Sequence, residues 1–219
     1  MLTKTSNKKR GILIAIEGID GSGKTTIAKQ LRKNLMRRNI KTTVLRSSSG
    51  YTFYWKTVTN IKKLMLTDGK KLSPSIDQSL HTLEFITYAQ YEIPKLLRVS
   101  DVVIADRYVL SRIALCRWDT KLHNSIPESI VATAVKNGVL LKPRFVFYLD
   151  IPTNKSLARI KLRNTKPEEK EKASNLKRVR SEIKKIIANN AFGYNIIRID
   201  ARKPIAEIVA IIKEIVLTK

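Results

Sequence analysis

Apolar residues in this chain follow two periods. Five short runs read as strands: ILIAI (12–16), KTTVLR (41–46), DVVIAD (101–106), RFVFYLD (144–150) and YNIIRID (194–200), with ILIAI and DVVIAD nearly all apolar. Runs of this length, rich in Ile, Val and Phe, predict strands that are mostly covered on both faces. Helical spacing fills the intervals. Ile27, Leu31, Leu35 and Met36 recur among Lys and Arg, which predicts an amphipathic helix to about Asn39. Ser73-Pro74 supplies an N-cap and a first-turn proline for a helix carrying Leu80, Leu83, Phe85, Ile86 and Tyr88, which Pro94 should end or bend. Ser125 with Glu128 reads as a capping box for a helix over 126–138. Lys- and Arg-rich helices follow over about 154–164 and 168–190, and Pro204 to Leu217 reads as the last helix. Strands and helices alternate with no tight hairpin signal. That order predicts a three-layer α/β fold, a five-stranded parallel sheet with helices on both faces. We expect a single domain over 11–219 preceded by a basic flexible arm, 1–10. The charged, apolar-poor stretch RNTKPEEKEK (163–172) marks a short lid, placed at about 159–175.

The first strand ends in chemistry. Gly18, Ile19, Asp20, Gly21, Ser22, Gly23, Lys24, Thr25 and Thr26 form a G-x-x-x-x-G-K-T turn between strand and helix, the context that gives this motif its meaning. Glycines permit dihedrals closed to other residues, so successive N–H groups can face one anion at a helix N-terminus. Lys24 would reach the β- and γ-phosphates of a nucleoside triphosphate such as ATP, and the Thr25 hydroxyl would ligate Mg²⁺. Asp106 ends the third strand in a Walker-B-like position, where a Mg²⁺-side carboxylate is expected, and Arg107 and Tyr108 follow it. Arg46 ends the second strand, ahead of SSSG (47–50) and an aromatic patch of Tyr51, Phe53, Tyr54 and Trp55. That patch is a candidate core, dimer-interface or base-stacking surface.

Composition narrows the setting. Among 219 residues, 43 Lys and Arg face 18 Asp and Glu, a net charge of +25 that attracts nucleotides, nucleic acid or acidic surfaces. Cys116 is the only cysteine, so no intramolecular disulfide forms and a reducing, cytoplasmic setting is expected. No apolar run approaches the ~20 residues that span a bilayer, and MLTKTSNKKR lacks the apolar stretch of a secretory signal. His81 and His123 show no metal-ligand spacing.

These residues resemble the thymidylate kinase family. EGIDGSGKTT (17–26) is similar to that family's phosphate loop, and DRYVLS (106–111) to its DRY segment. The resemblance implies phosphoryl transfer from Mg-ATP to a nucleoside monophosphate, first of all dTMP, by a homodimer. It implies that Asp20 approaches the acceptor, and that Arg46 and Arg107, with Tyr108 beside them, hold the acceptor end. It sets Phe85 on the thymine ring, and makes Arg159 and Arg163 (in ARIKLR, 158–163) the lid arginines of the transfer. The chain departs from the family on the acceptor side. No arginine follows Phe85 within Ile86, Thr87, Tyr88 and Ala89. Ala114-Leu115-Cys116 stands for an Ala-Tyr-Gln-like run, Ile183 for a tyrosine, and no Glu-Pro-Gly follows the second strand. Arg112 or Arg117 is a candidate replacement for the missing contact.

Two other readings stay open at this level. One is a related P-loop kinase with another acceptor: a different deoxynucleotide, a nucleoside or a nucleic-acid 5′-hydroxyl. A hydroxyl acceptor would need a carboxylate base from Glu17, Asp20 or Asp106. The other is a nucleic-acid-binding protein on a kinase fold, using the +25 charge.

Overall fold

The computed structural model describes residues 10–46, 53–65, 72–117, 126–163, 171–190 and 192–218. Five strands, β1 (Ile12–Glu17), β2 (Thr42–Arg46), β3 (Val102–Asp106), β4 (Phe145–Asp150) and β5 (Ile196–Asp200), form one parallel sheet in the order β2-β3-β1-β4-β5. Every residue of β3 and β4 is buried. Successive side chains point to opposite faces, so total burial means that both faces are covered. The expectation of a doubly covered parallel α/β sheet is met.

The helices are α1 (Lys24–Met36), α2 (Phe53–Met65), α3 (Pro74–Val99), α4 (Val109–Arg117), α5 (Ile126–Lys136), α6 (Thr153–Lys161), α7 (Ala173–Ala188) and α8 (Ile205–Leu217). α1 packs on α8, while α4 packs on α5 and α7, and α3 on α5. β1 lies between β3 and β4, with β2 beyond one and β5 beyond the other. The chain therefore leaves β1 at the point where strand order reverses, and an open crevice is expected beyond that strand's carboxyl end.

Several elements differ from the sequence reading. α3 runs through Pro94 to Val99. A mid-helix proline forfeits one hydrogen bond, but Ile93 and Leu97 are buried on either side of it and hold the helix to the core. Ser73 does cap α3, accepting from the Ile76 N–H at 3.3 Å, a contact worth about 1 kcal/mol. Ser125 lies outside the described residues, and Glu128, its expected capping partner, instead pairs with Arg117 at 2.9 Å to Nε. α1 starts at Lys24 rather than Ile27, and β5 is shorter than expected, at 196–200. α2 and α4 were not anticipated. The arm up to residue 9, residues 47–52, the side chains of Phe53, Tyr54 and Trp55, His123 and lid residues 164–170 lie outside the described residues.

Candidate active site

The glycine turn closes tightly on its surroundings. Gly21 (φ 75°) and Gly23 (φ 94°) take left-handed dihedrals, and a Cβ on Gly21 would sit 2.5 Å from the Ser156 carbonyl oxygen. Ser156, buried in α6, donates its hydroxyl to the Asp20 carbonyl. This clasp between the turn and α6 has no local sequence signature, because it joins residues 136 positions apart.

Lys24 is 5 % exposed, and its ammonium donates to the Ile19 carbonyl at 2.7 Å and to Ser22 Oγ at 3.4 Å. Burial, reinforced by the nearby Arg107 cation, pulls its pKa down to about 7, against the opposing carboxylates Asp20, Asp106 and Glu17. Next to it, Thr25 donates its hydroxyl to Asp106 Oδ2 at 2.6 Å, and Arg46 Nε lies 3.6 Å from the same oxygen.

Arg107 takes φ 74°, a conformation that a side chain with a Cβ resists by roughly 1–2 kcal/mol. Three contacts hold it there: its backbone N–H donates to Ile16 O at 3.1 Å, and Nη1 donates to Gly18 O at 3.0 Å and to Ser111 Oγ at 3.3 Å. Its Nη2 pairs with Asp20. The strained backbone aims the guanidinium back across the mouth of β1.

Glu17 organises this corner. It is fully buried and accepts from the N–H groups of Tyr108 at 2.9 Å and Leu110 at 3.0 Å, from the Ser111 N–H, and from the Ser111 hydroxyl. It thus anchors the N-terminus of α4, accepting from the N–H groups there. Burial raises its pKa, and the Ser111 hydrogen bonds work against that rise. A carboxylate at the end of a buried strand was visible in sequence; its partner helix was not.

These residues line a cavity of about 470 Å³ bounded by Asp20, Gly21, Gly23 to Thr26, Arg46, Asp106, Arg107, Arg163 and Glu171. Arg163 donates to Glu171 at 3.0 Å across the segment 164–170. Gly18, Ile19 and Ser22 stand behind the lining: Gly18 and Ile19 offer their carbonyls to Arg107 and Lys24, and Ser22 its hydroxyl to Lys24. Arg159 stays outside it, donating to the Ala201 carbonyl at 2.9 Å. Phe85 and Tyr108 also stay out. They meet edge-to-face in the core at 5.6 Å, and the Tyr108 hydroxyl donates to Leu141 O at 2.9 Å. Arg117 faces Glu128 and Glu182 between helices, away from this cavity.

The Thr25 and Asp106 oxygens suit a hard divalent cation. Among the described residues, no group of three or more His, Cys, Asp or Glu could hold an ion. One carboxylate with one hydroxyl is a donor set that fits Mg²⁺.

A parallel sheet with a glycine-bound phosphate loop and a buried lysine at its switch point defines a P-loop kinase, a phosphotransferase. The thymidylate kinase family model matches residues 16–212. A thymidylate kinase of Blochmanniella floridana is 32 % identical over 201 residues, covering 89 % of this chain and 90 % of that protein. A probable thymidylate kinase of Pyrobaculum calidifontis is 31 % identical over 197 residues, covering 90 % and 91 %. The chain belongs to the thymidylate kinase family. A deoxyadenosine kinase from M. mycoides, solved with dCMP and dCDP, shares the fold: TM-score 0.66, 18 % identity, 95 % of this chain and 100 % of that one. No described helix is long and apolar enough to cross a membrane.

Proposed function

We propose that this chain transfers the γ-phosphoryl group of Mg-ATP to dTMP, giving dTDP and ADP. The observation that carries the reading is the convergence of Lys24, Arg46, Arg107 and Arg163 with the Thr25–Asp106 oxygen pair on one cavity. Family membership and the names of the relatives support dTMP as acceptor.

Two anions must meet for this reaction, and cations are what the site provides. The N–H groups of the glycine turn, the α1 N-terminus and Lys24 hold the triphosphate. Thr25 and Asp106 would hold Mg²⁺, which supplies charge neutralisation at the phosphates. Arg46 and Arg107 receive the acceptor phosphate, with Asp20 setting the Arg107 guanidinium. A phosphate monoester has a second pKa of about 6, so the nucleophile is already ionised and no general base is required. The structure offers poor candidates for one: Glu17 anchors α4, Asp20 pairs with Arg107, and Asp106 faces Thr25 and Arg46. This is why a hydroxyl acceptor is disfavoured. Segment 159–175 acts as the lid, bringing Arg159 and Arg163 toward the transferring group and excluding water. The working form is a cytoplasmic homodimer, testable by light scattering on purified protein, and the positive charge needs no nucleic-acid partner.

The test is ADP formation from Mg-ATP against a panel of nucleoside monophosphates, nucleosides and a 5′-hydroxyl oligonucleotide. Strongest turnover with dTMP is expected. Turnover with the oligonucleotide or nucleosides, and none with monophosphates, would overturn the reading.

A further inference from the structure

Between α3 and α4, beyond the phosphate cavity, lies a set of polar groups that the transfer chemistry leaves without a role. Resting on the reading above, we infer that Arg112, steadied by Gln78, reads the base of the acceptor nucleotide between α3 and α4. Arg112 follows Ser111, whose hydroxyl touches Arg107, and its own N–H closes the first turn of α4 onto Tyr108 O at 3.1 Å. α4 begins at Val109 and Arg112 stands one residue past Ser111, so an acceptor whose phosphate is at Arg107 and whose body extends along α4 brings its base to Arg112.

The chemistry of the cluster is that of an unfinished recognition site. One guanidinium nitrogen of Arg112 donates to Gln78 Oε1 and lies 3.9 Å from Cys116 Sγ. Its Nε is buried with no hydrogen-bond partner among the described residues. Thr82, one turn along α3 from Gln78 and so on the same face, has a buried hydroxyl in the same condition. Buried polar groups without partners are rare in folded proteins, and a polar ligand is a direct way to satisfy them. Glu84 is buried in the same stretch of α3, where burial pushes its carboxyl up to about 7 against the pull of Arg112. Phe85 and, one turn on, Ala89 are apolar and buried, at 4 % and 3 % exposure, so α3 supplies no cation there. The charged reader comes from α4 instead. A guanidinium donates only, so it favours a base edge that presents a carbonyl, as thymine does at O4, over the amino group of cytosine.

The test compares wild type, Arg112→Ala and Arg112→Lys on dTMP, dCMP and Mg-ATP. Arg112→Ala is expected to raise the dTMP KM about 10- to 100-fold, as for loss of a hydrogen bond to a charged group. It should lower the preference for dTMP over dCMP by a similar factor, with kcat within about threefold and the Mg-ATP KM unchanged. Arg112→Lys should recover part of the loss. An unchanged dTMP KM and base preference in Arg112→Ala would overturn the inference while leaving the proposed function standing. A parallel rise in the Mg-ATP KM would overturn it too, by revealing a structural role. Wild-type protein inactive on every monophosphate would instead overturn the proposed function, and this inference with it.

Discussion

The phosphate end of the site and the α3–α4 end are built from different materials. At the glycine turn, ligand-facing groups are backbone N–H groups and cations that already have partners: Lys24 on the Ile19 carbonyl, Arg107 on Asp20 and Gly18, Arg46 on Asp106. Between α3 and α4, the groups are side chains set into a core, and two of them, Arg112 Nε and Thr82 Oγ1, are buried without a hydrogen-bond partner among the described residues. Backbone recognition of phosphate tolerates sequence change as long as the glycines and one lysine persist. Side-chain recognition of a base changes with every substitution. The chain accordingly keeps the family's pattern at the first end and departs from it at the second.

The sharpest way to break this comparison is at Lys24. Lys24→Ala should lower kcat by about 10²–10³-fold with the fold intact by circular dichroism, because a preorganised charge at the developing phosphoryl centre is lost. A variant within tenfold of wild type would mean that the turn is not the phosphate site.

Arg107 separates function from strain. Arg107→Ala and Arg107→Gly should both lose about 10²-fold or more in kcat/KM for dTMP. The glycine variant should nonetheless be roughly 1 kcal/mol the more stable of the two by urea denaturation, because only glycine adopts φ 74° freely. Equal stability would deny that the backbone there is strained.

A smaller effect concerns Glu84. Its carboxyl stands at about 7 in the fold against 4.5 when exposed, so the native state binds the proton more tightly than the unfolded chain. The stability this confers is fully present below about pH 4.5 and is lost as pH rises through about 7. Glu84→Gln should remove that slope, melting above wild type at pH 8 and close to it at pH 4.5. A wild-type Tm that does not fall relative to the variant over this range would contradict the assignment.

The subtlest is a proton count. Lys24, at about 7 in the free protein, is largely neutral at pH 8 and is recharged by a bound triphosphate. Mg-ATP binding at pH 8 should therefore take up nearly one proton, read from calorimetry in buffers of different ionisation enthalpy. The uptake should vanish in Lys24→Ala.

Much of this molecule was legible from its residues. β1, β3 and β4 are mostly apolar runs, and the glycine turn occupies fixed positions between a strand and a helix. What escaped has physical reasons. α4 was missed because Val109, Leu110, Ser111, Ile113, Ala114 and Cys116 are all buried, so the helix shows no polar face and no amphipathic period. Pro94 does not end α3, because packing by Ile93 and Leu97 outweighs local propensity. The Glu17–α4 anchor and the Ser156–Asp20 clasp join distant parts of the chain, and no spacing rule reports such contacts. Phe85 and Tyr108, assigned to the acceptor end by resemblance, meet edge-to-face in the core.

The most direct test of the account follows the transferred phosphorus itself. Purified protein would be given ATP labelled at the γ-phosphate, Mg²⁺ and dTMP, and the products separated. The account predicts label in the β-phosphate of dTDP, in one-to-one yield with ADP. Label released only as inorganic phosphate, or carried to a 5′-hydroxyl in preference to dTMP, would contradict it.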